Sequence, residues 1–175
     1  PANLFAFGYN YSVELDKWNL TDLACDYLFV GDSKVDFNIP GTLGIIQNFD
    51  AWNSEKERHY PLLSKHAFLT QGVSSELKFV SVTLDELTTD LLDKVKTDSN
   101  VVLILQTHAE NAMTDLRRGI TLLINAGLKT PVMIKRELSL DENAFQLYAA
   151  TDLGGLLVDG LGDACWLVNR SIPNK

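Results

Sequence analysis

The chain has 175 residues, 46% hydrophobic and 22% charged, a size and balance at which one compact domain buries a full core without disulfide or metal staples. Its 15 Lys+Arg against 23 Asp+Glu give a net charge of -8, and no run of basic residues offsets it. Polyphosphate backbones and anionic lipid surfaces are therefore disfavoured, which argues for no nucleic-acid and no membrane partner.

The apolar stretches fall far short of a membrane span, and the N-terminus lacks the basic-then-apolar layout of a secretory signal. Cys25 and Cys165 lie too far apart for a CxxC pair or a secreted disulfide framework, so a soluble, cytoplasmic protein is expected. Cys165, between Ala164 and Trp166, reads as a buried, inert thiol.

The chain starts at Pro1 without an initiator Met and runs straight into Leu4-Phe5-Ala6-Phe7, which reads as the interior of a longer sequence. Strands are expected at Leu4–Phe7, Tyr27–Val30, Thr42–Gln47 and Ala67–Leu69, with a long loop or short helical turns over 48–61. The second half has a clearer grammar. Phe79–Val82, Val101–Leu105, Val132–Ile134 and Gly155–Val158 are short aliphatic runs of the kind buried in parallel sheets.

Between them, Leu91, Leu92 and Val95 predict a helix over 88–96, and Met113, Leu116, Ile120, Leu123 and Ile124 predict one over 110–126. Thr107-x-x-Glu110 and Ser139-x-x-Glu142 match the capping box at helix starts, and Gly127 supplies a left-handed stop. This alternation means consecutive right-handed βαβ crossovers. The fold class is α/β with a parallel sheet over 1–175 as a single domain, an incomplete TIM-like barrel, or alternatively an open doubly wound sheet.

In such sheets, side chains just past the strand carboxyl ends converge on one edge, where ligands bind. The candidates are Thr83 and Asp85; Gln106, Thr107 and His108; Lys135, Arg136 and Glu137; and Asp159, Gly160, Gly162 and Asp163. The Lys135-Arg136 pair facing carboxylates and His108 suits a small phosphorylated or carboxylate ligand, the mark of a stand-alone enzyme or binding domain. The blander reading is an exposed ion-pair cluster on loop ends.

Gly160-Leu161-Gly162 is not a dinucleotide fingerprint, because Cys165 stands at the third glycine position and a strand-like segment follows. Asp159 and Asp163 either ligate Mg²⁺ with help from a phosphate, or cap backbone N–H groups while both glycines take positive φ. His59, His66 and His108 have no zinc-ligand spacing, and no serine sits in a G-x-S-x-G elbow. No residue is assigned a catalytic or metal-binding role.

The run Thr151-Asp152-Leu153-Gly154-Gly155-Leu156-Leu157-Val158-Asp159-Gly160-Leu161-Gly162-Asp163 resembles the stretch closing the insert (middle, A*) domain of three-domain (E)-4-hydroxy-3-methylbut-2-enyl diphosphate synthases, the GcpE or IspG family. Ordered satellites agree: Asp26–Asp32, Pro40–Gly44, His59–Leu62 and Thr130–Arg136, in a version closest to that of the Bacteroidetes. Ala164 departs from the glycine usual there, and residues 1–24 resemble nothing placed.

The resemblance implies a parent oxidoreductase of the non-mevalonate isoprenoid pathway, reducing 2-C-methyl-D-erythritol 2,4-cyclodiphosphate with a [4Fe–4S] cluster and a flavodoxin or ferredoxin donor. Substrate and cluster belong to a catalytic barrel and an iron–sulfur domain of the same chain. The insert itself is implied to be a non-catalytic scaffold, without a cofactor and inactive alone.

Overall fold

The computed structural model describes residues 4–171, which divide into two compact units, one up to Leu62 and one from Leu63. The first unit opens with a short 3-10 turn at Phe5–Phe7, not the strand expected there. Gly8 then turns the chain at φ +82°, where an added Cβ would meet the Ala24 backbone at 2.5 Å, so only glycine fits. A hairpin follows: β1 (Tyr9–Ser12) pairs antiparallel with β2 (Lys17–Leu20), and Tyr11 meets Trp18 edge-on at 5.2 Å.

Strands β3 (Tyr27–Gly31), β4 (Gly44–Asn48) and β5 (His59–Ser64) run parallel in that order. No helix crosses between them; the connections are irregular, with a 3-10 turn at Phe49–Ala51. Irregular backbone must find donors for its carbonyls, and two cations supply them. Lys56 Nζ donates to Val35 O at 2.9 Å, while Arg58 donates to the carbonyls of Pro40, Leu43 and Ile39. Under this clamp Leu4, Tyr9, Val35, Leu43 and Ile45 form the core of the unit.

The second unit alternates helix and strand: α1 (Lys65–Thr70), β6 (Lys78–Val82), α2 (Thr89–Thr97), β7 (Val101–Gln106), α3 (Ala112–Asn125), β8 (Val132–Leu138), α4 (Glu142–Ala149), a π-helical turn (Ala150–Gly154), α5 (Gly155–Val158) and β9 (Ala164–Asn169). Strands β6 to β9 are parallel and lie in chain order. A doubly wound sheet reverses its order at a switch point, and no reversal occurs; the order is that of consecutive βαβ units laid down as in a barrel. The α/β class expected from the sequence holds.

Helix α3 buries Leu116, Ile120 and Leu123 against this sheet, and Gly119 lets it approach so closely that a Cβ would meet Leu105 Cδ2 at 2.7 Å. It stops in a Schellman turn: Gly127 at φ +74° donates to Ile124 O and Leu128 to Leu123 O. Helix α2 buries Leu91 and Val95 of the three residues expected inward, and Leu92 only partly.

Four local expectations are corrected. Gly155–Val158 is not a strand but the last helical turn after β8, with Leu156 fully buried, and the final strand is β9. A four-residue apolar run fits either state, and here backbone hydrogen bonds carry the helix on from α4. Ala67–Leu69 lies inside α1, capped by Ser64 Oγ accepting from Ala67 N at 3.2 Å. Thr107 does not cap α3, which starts at Asn111 without a side-chain cap, and Ser139 does not cap α4, where Asp141 accepts from Ala144 N at 3.0 Å.

Candidate functional site

Strand β8 presents its two cations to opposite faces, as alternation along a strand requires. Arg136 shares the face of Ile134 and is 6% exposed; a guanidinium so placed demands anionic and carbonyl partners. Its Nε donates to Asp152 Oδ2 at 2.9 Å, and its Nη1 to Thr107 O at 3.2 Å. Asp152, itself 8% exposed, comes from the π-helical turn, and Thr107 from the residue just past β7.

The Thr107 hydroxyl in turn donates to Asp115 Oδ2 at 2.6 Å, one turn into α3, and accepts from Ala109 N at 3.0 Å. A continuous polar network thus ties α3, the end of β7, β8 and the π-helical turn at the carboxyl edge of the sheet. Its groups are consumed by one another, so chemically it clamps rather than binds.

Lys135 sits on the other face, 4.7 Å from the centroid of the Trp166 ring and 3.8 Å from Glu137 Oε2, and Glu137 also pairs with Arg170. His108, two residues past β7, is exposed at the carboxyl edge. Nearby on the same edge, Thr83 N and Oγ1 both donate to Glu86 Oε2 in a capping box. The Thr88 hydroxyl donates to Asp90, a hydrogen bond that holds the Asp90 carboxyl below its ordinary range, and accepts from Lys65 Nζ at 2.6 Å.

The glycine-aspartate turn goes elsewhere. Because Gly155–Val158 is helix, Asp159–Asp163 precedes β9 instead of following a strand, and it lies at the amino edge of the sheet. Asp163 brackets the first residue of β8: its N donates to Val132 O and its Oδ2 accepts from Val132 N, both at 2.8 Å. Val132 and Arg136 are four residues apart, roughly 13 Å along an extended strand. The structure therefore brings His108 and Arg136 to one edge and sets Asp159, Gly160, Gly162 and Asp163 at the other.

Within that turn, Gly160 at φ +70° ends α5 in a second Schellman turn, with Gly160 N on Leu157 O and Leu161 N on Leu156 O. Gly162, at φ +88°, passes against Ile134. Asp159 is exposed and pairs with Arg117 of α3. Asp163 thus takes the backbone-capping role weighed against Mg²⁺ ligation, whereas Asp159 pairs with Arg117 instead of capping.

Asp152 and Asp115 were not among the sequence candidates. A signal existed: Arg136 falls on the same strand face as Val132 and Ile134, and a cation on a buried face needs a carboxylate from the helices covering it. Of the thiols, Cys25 is half-buried, and burial pushes its pKa up; Cys165 is exposed, not the buried thiol expected.

The chain is similar to proteins named 4-hydroxy-3-methylbut-2-en-1-yl diphosphate synthase (flavodoxin) from several bacteria. That of Parabacteroides distasonis is 30% identical over 146 residues, covering 83% of this chain and 24% of the relative. That of Phocaeicola vulgatus is 28% identical over 149 residues, with the same coverages of 83% and 24%, and that of Porphyromonas gingivalis 30% identical over 97 residues, 55% of this chain and 17% of the relative. The chain spans about a quarter of the length of the first two. No protein-family model and no solved structure matches it.

Proposed function

We propose that residues 1–175 act together as the insert domain of a 4-hydroxy-3-methylbut-2-enyl diphosphate synthase, a scaffold that holds a catalytic barrel and an iron–sulfur domain of the same chain at a productive distance. The observation that carries this reading is the similarity itself, which covers 83% of this chain but only 24% of the relative, as a domain within a longer enzyme would.

The chemistry of the candidate site agrees. Arg136, Asp152, Thr107, Asp159, Lys135 and Asp163 are all engaged with other protein groups, the arrangement of a rigid support rather than of a phosphate site. A small misplacement of reacting groups costs large rate factors, so rigidity is what a spacer has to supply. Of the Arg136 and glycine-aspartate candidates, His108, Asp159, Gly160 and Asp163 are exposed, and they are the ones proposed to touch neighbouring domains.

The parent enzyme in this reading is an oxidoreductase of the non-mevalonate isoprenoid pathway, with a flavodoxin or ferredoxin donor. The donor set of this chain does not fit its [4Fe–4S] cluster: there are two cysteines, they lie in different units, and among the described residues no three His, Cys, Asp or Glu side chains gather. The cluster would be held elsewhere in the parent. Among the described residues no helix is long and apolar enough to cross a membrane, in keeping with a cytoplasmic enzyme.

Calorimetric titration of the chain with the cyclic diphosphate and with Mg²⁺, alongside an absorbance scan, tests the scaffold role. No heat and no iron–sulfur colour are expected. Saturable binding of the diphosphate would replace the scaffold with a phosphate-ligand site.

A further inference from the structure

The last helical segment of the second unit has an outer face unlike that of α2. From Glu142 to Val158, α4, the π-helical turn and α5 follow one another without a break, and the residues they bury are Asp152, Leu153 and Leu156. Away from these, Leu147, Ala150, Thr151, Gly154, Leu157 and Val158 recur at three- and four-residue spacing, which gathers them on one face. Leu147 is 64% exposed, Leu157 40% and Val158 87%. The Thr151 hydroxyl is satisfied within the helix, donating to Leu147 O at 3.1 Å and to Tyr148 O at 3.2 Å. At Gly154 an added Cβ would meet nothing within 4 Å, so the face is open there.

Charge is missing from this face. Between Asn143 and Val158 the only charged side chain is Asp152, which is buried and held by Arg136. Helix α2, by contrast, exposes Asp90, Asp93 and Lys96, the pattern of a solvated helix surface. In a chain where 22% of residues are charged, an exposed apolar face of this length is a local exception, and such faces mark interaction sites. Ala150 and Gly154, small and near its middle, leave room for a second helix to approach closely.

Resting on the insert-domain reading and deepening it, we propose that this face docks the remainder of the synthase chain, through the apolar side of a helix laid along Ala150 and Gly154. The occupant follows from length and from charge. The relatives place about three quarters of their chain outside the matched region. A partner carried in the same chain is present at high effective concentration, so a face without charge can hold it by packing alone. Asp159, already proposed to touch a neighbouring domain, directly follows Val158.

Hydroxyl-radical footprinting of Leu147, Leu157 and Val158 decides it, read in this 175-residue chain and in the longer synthase chain that contains it. The core of an interface packs as densely as a protein interior, so these side chains are expected to oxidise at least about fivefold more slowly in the longer chain. Gly154→Glu supplies the control. The backbone there is helical, at φ -58° and ψ -42°, and the space is open, so the melting temperature of the 175-residue chain is expected not to fall. In the longer chain the same substitution is expected to return the oxidation rates to those of the 175-residue chain. Equal rates in the two unsubstituted proteins would overturn the proposal, and so would protection that survives Gly154→Glu. A 175-residue chain that sediments as a dimer with the face already shielded would overturn it too, since the occupant would then be a second copy. Turnover of the cyclic diphosphate by the longer chain is scored separately: its absence sinks the synthase reading, while the footprint still reports what covers the face.

Discussion

Arg136 illustrates how one side chain fixes its surroundings. Removing one partner of a buried ion pair strands the other charge, at a cost of about 3–5 kcal/mol, whereas replacing both with apolar groups of similar volume is often neutral. Arg136→Met is therefore expected to lower unfolding stability by about that amount, with Asp152 left uncompensated at 8% exposure. The double variant Arg136→Met/Asp152→Leu should recover most of it. Denaturant melts of the four proteins of this cycle measure the coupling, and additive losses would show that the pair does not act as a unit. The sequence displayed Arg136 as a candidate ligand contact; the partners that bury it come from positions 16 and 29 residues away, a separation that no local pattern encodes.

At the scale of elements, two glycines two residues apart in the same turn make different demands. Gly160 has φ +70° with nothing within 4 Å of an added Cβ, so Gly160→Ala pays only for the left-handed backbone, about 1 kcal/mol. Gly162 has φ +88°, and its Cβ would meet Cδ1 of the fully buried Ile134 at 2.5 Å. Gly162→Ala is expected to cost at least about 2 kcal/mol, strain and overpacking together. Thermal melts that rank Gly160→Ala as the more damaging would contradict this account.

The same scale shows where local sequence falls short. The aliphatic runs of β6, β7 and β8 and the spaced leucines of α2 and α3 were legible because burial imposes the periods of strand and helix directly. Gly155–Val158 was not, because four apolar residues satisfy both periods, and reading it as a strand carried the whole aspartate turn to the wrong edge of the sheet. Strand β5 was missed for a related reason: His59, Tyr60 and Pro61 disguise a strand whose buried members include Leu63.

For the whole molecule, charge is the property most directly set by composition. With a pI near 4.8 and a charge of -8 at neutral pH, self-repulsion keeps copies apart until acidification removes it. Turbidity is expected to peak near pH 4.8 and to fall on either side; a flat profile would mean that surface patches, not net charge, govern association.

The sequence by itself determined the α/β class, helix α3 and its glycine stop, the acidic character and the family resemblance, because each of these depends on residue type and short-range spacing. The tertiary structure alone decided the chain-ordered sheet, the partners of Arg136 and the separation of the aspartate turn from His108. Those depend on which segments become neighbours across the fold, and hydrogen-bond partners are chosen only once the strands are in register.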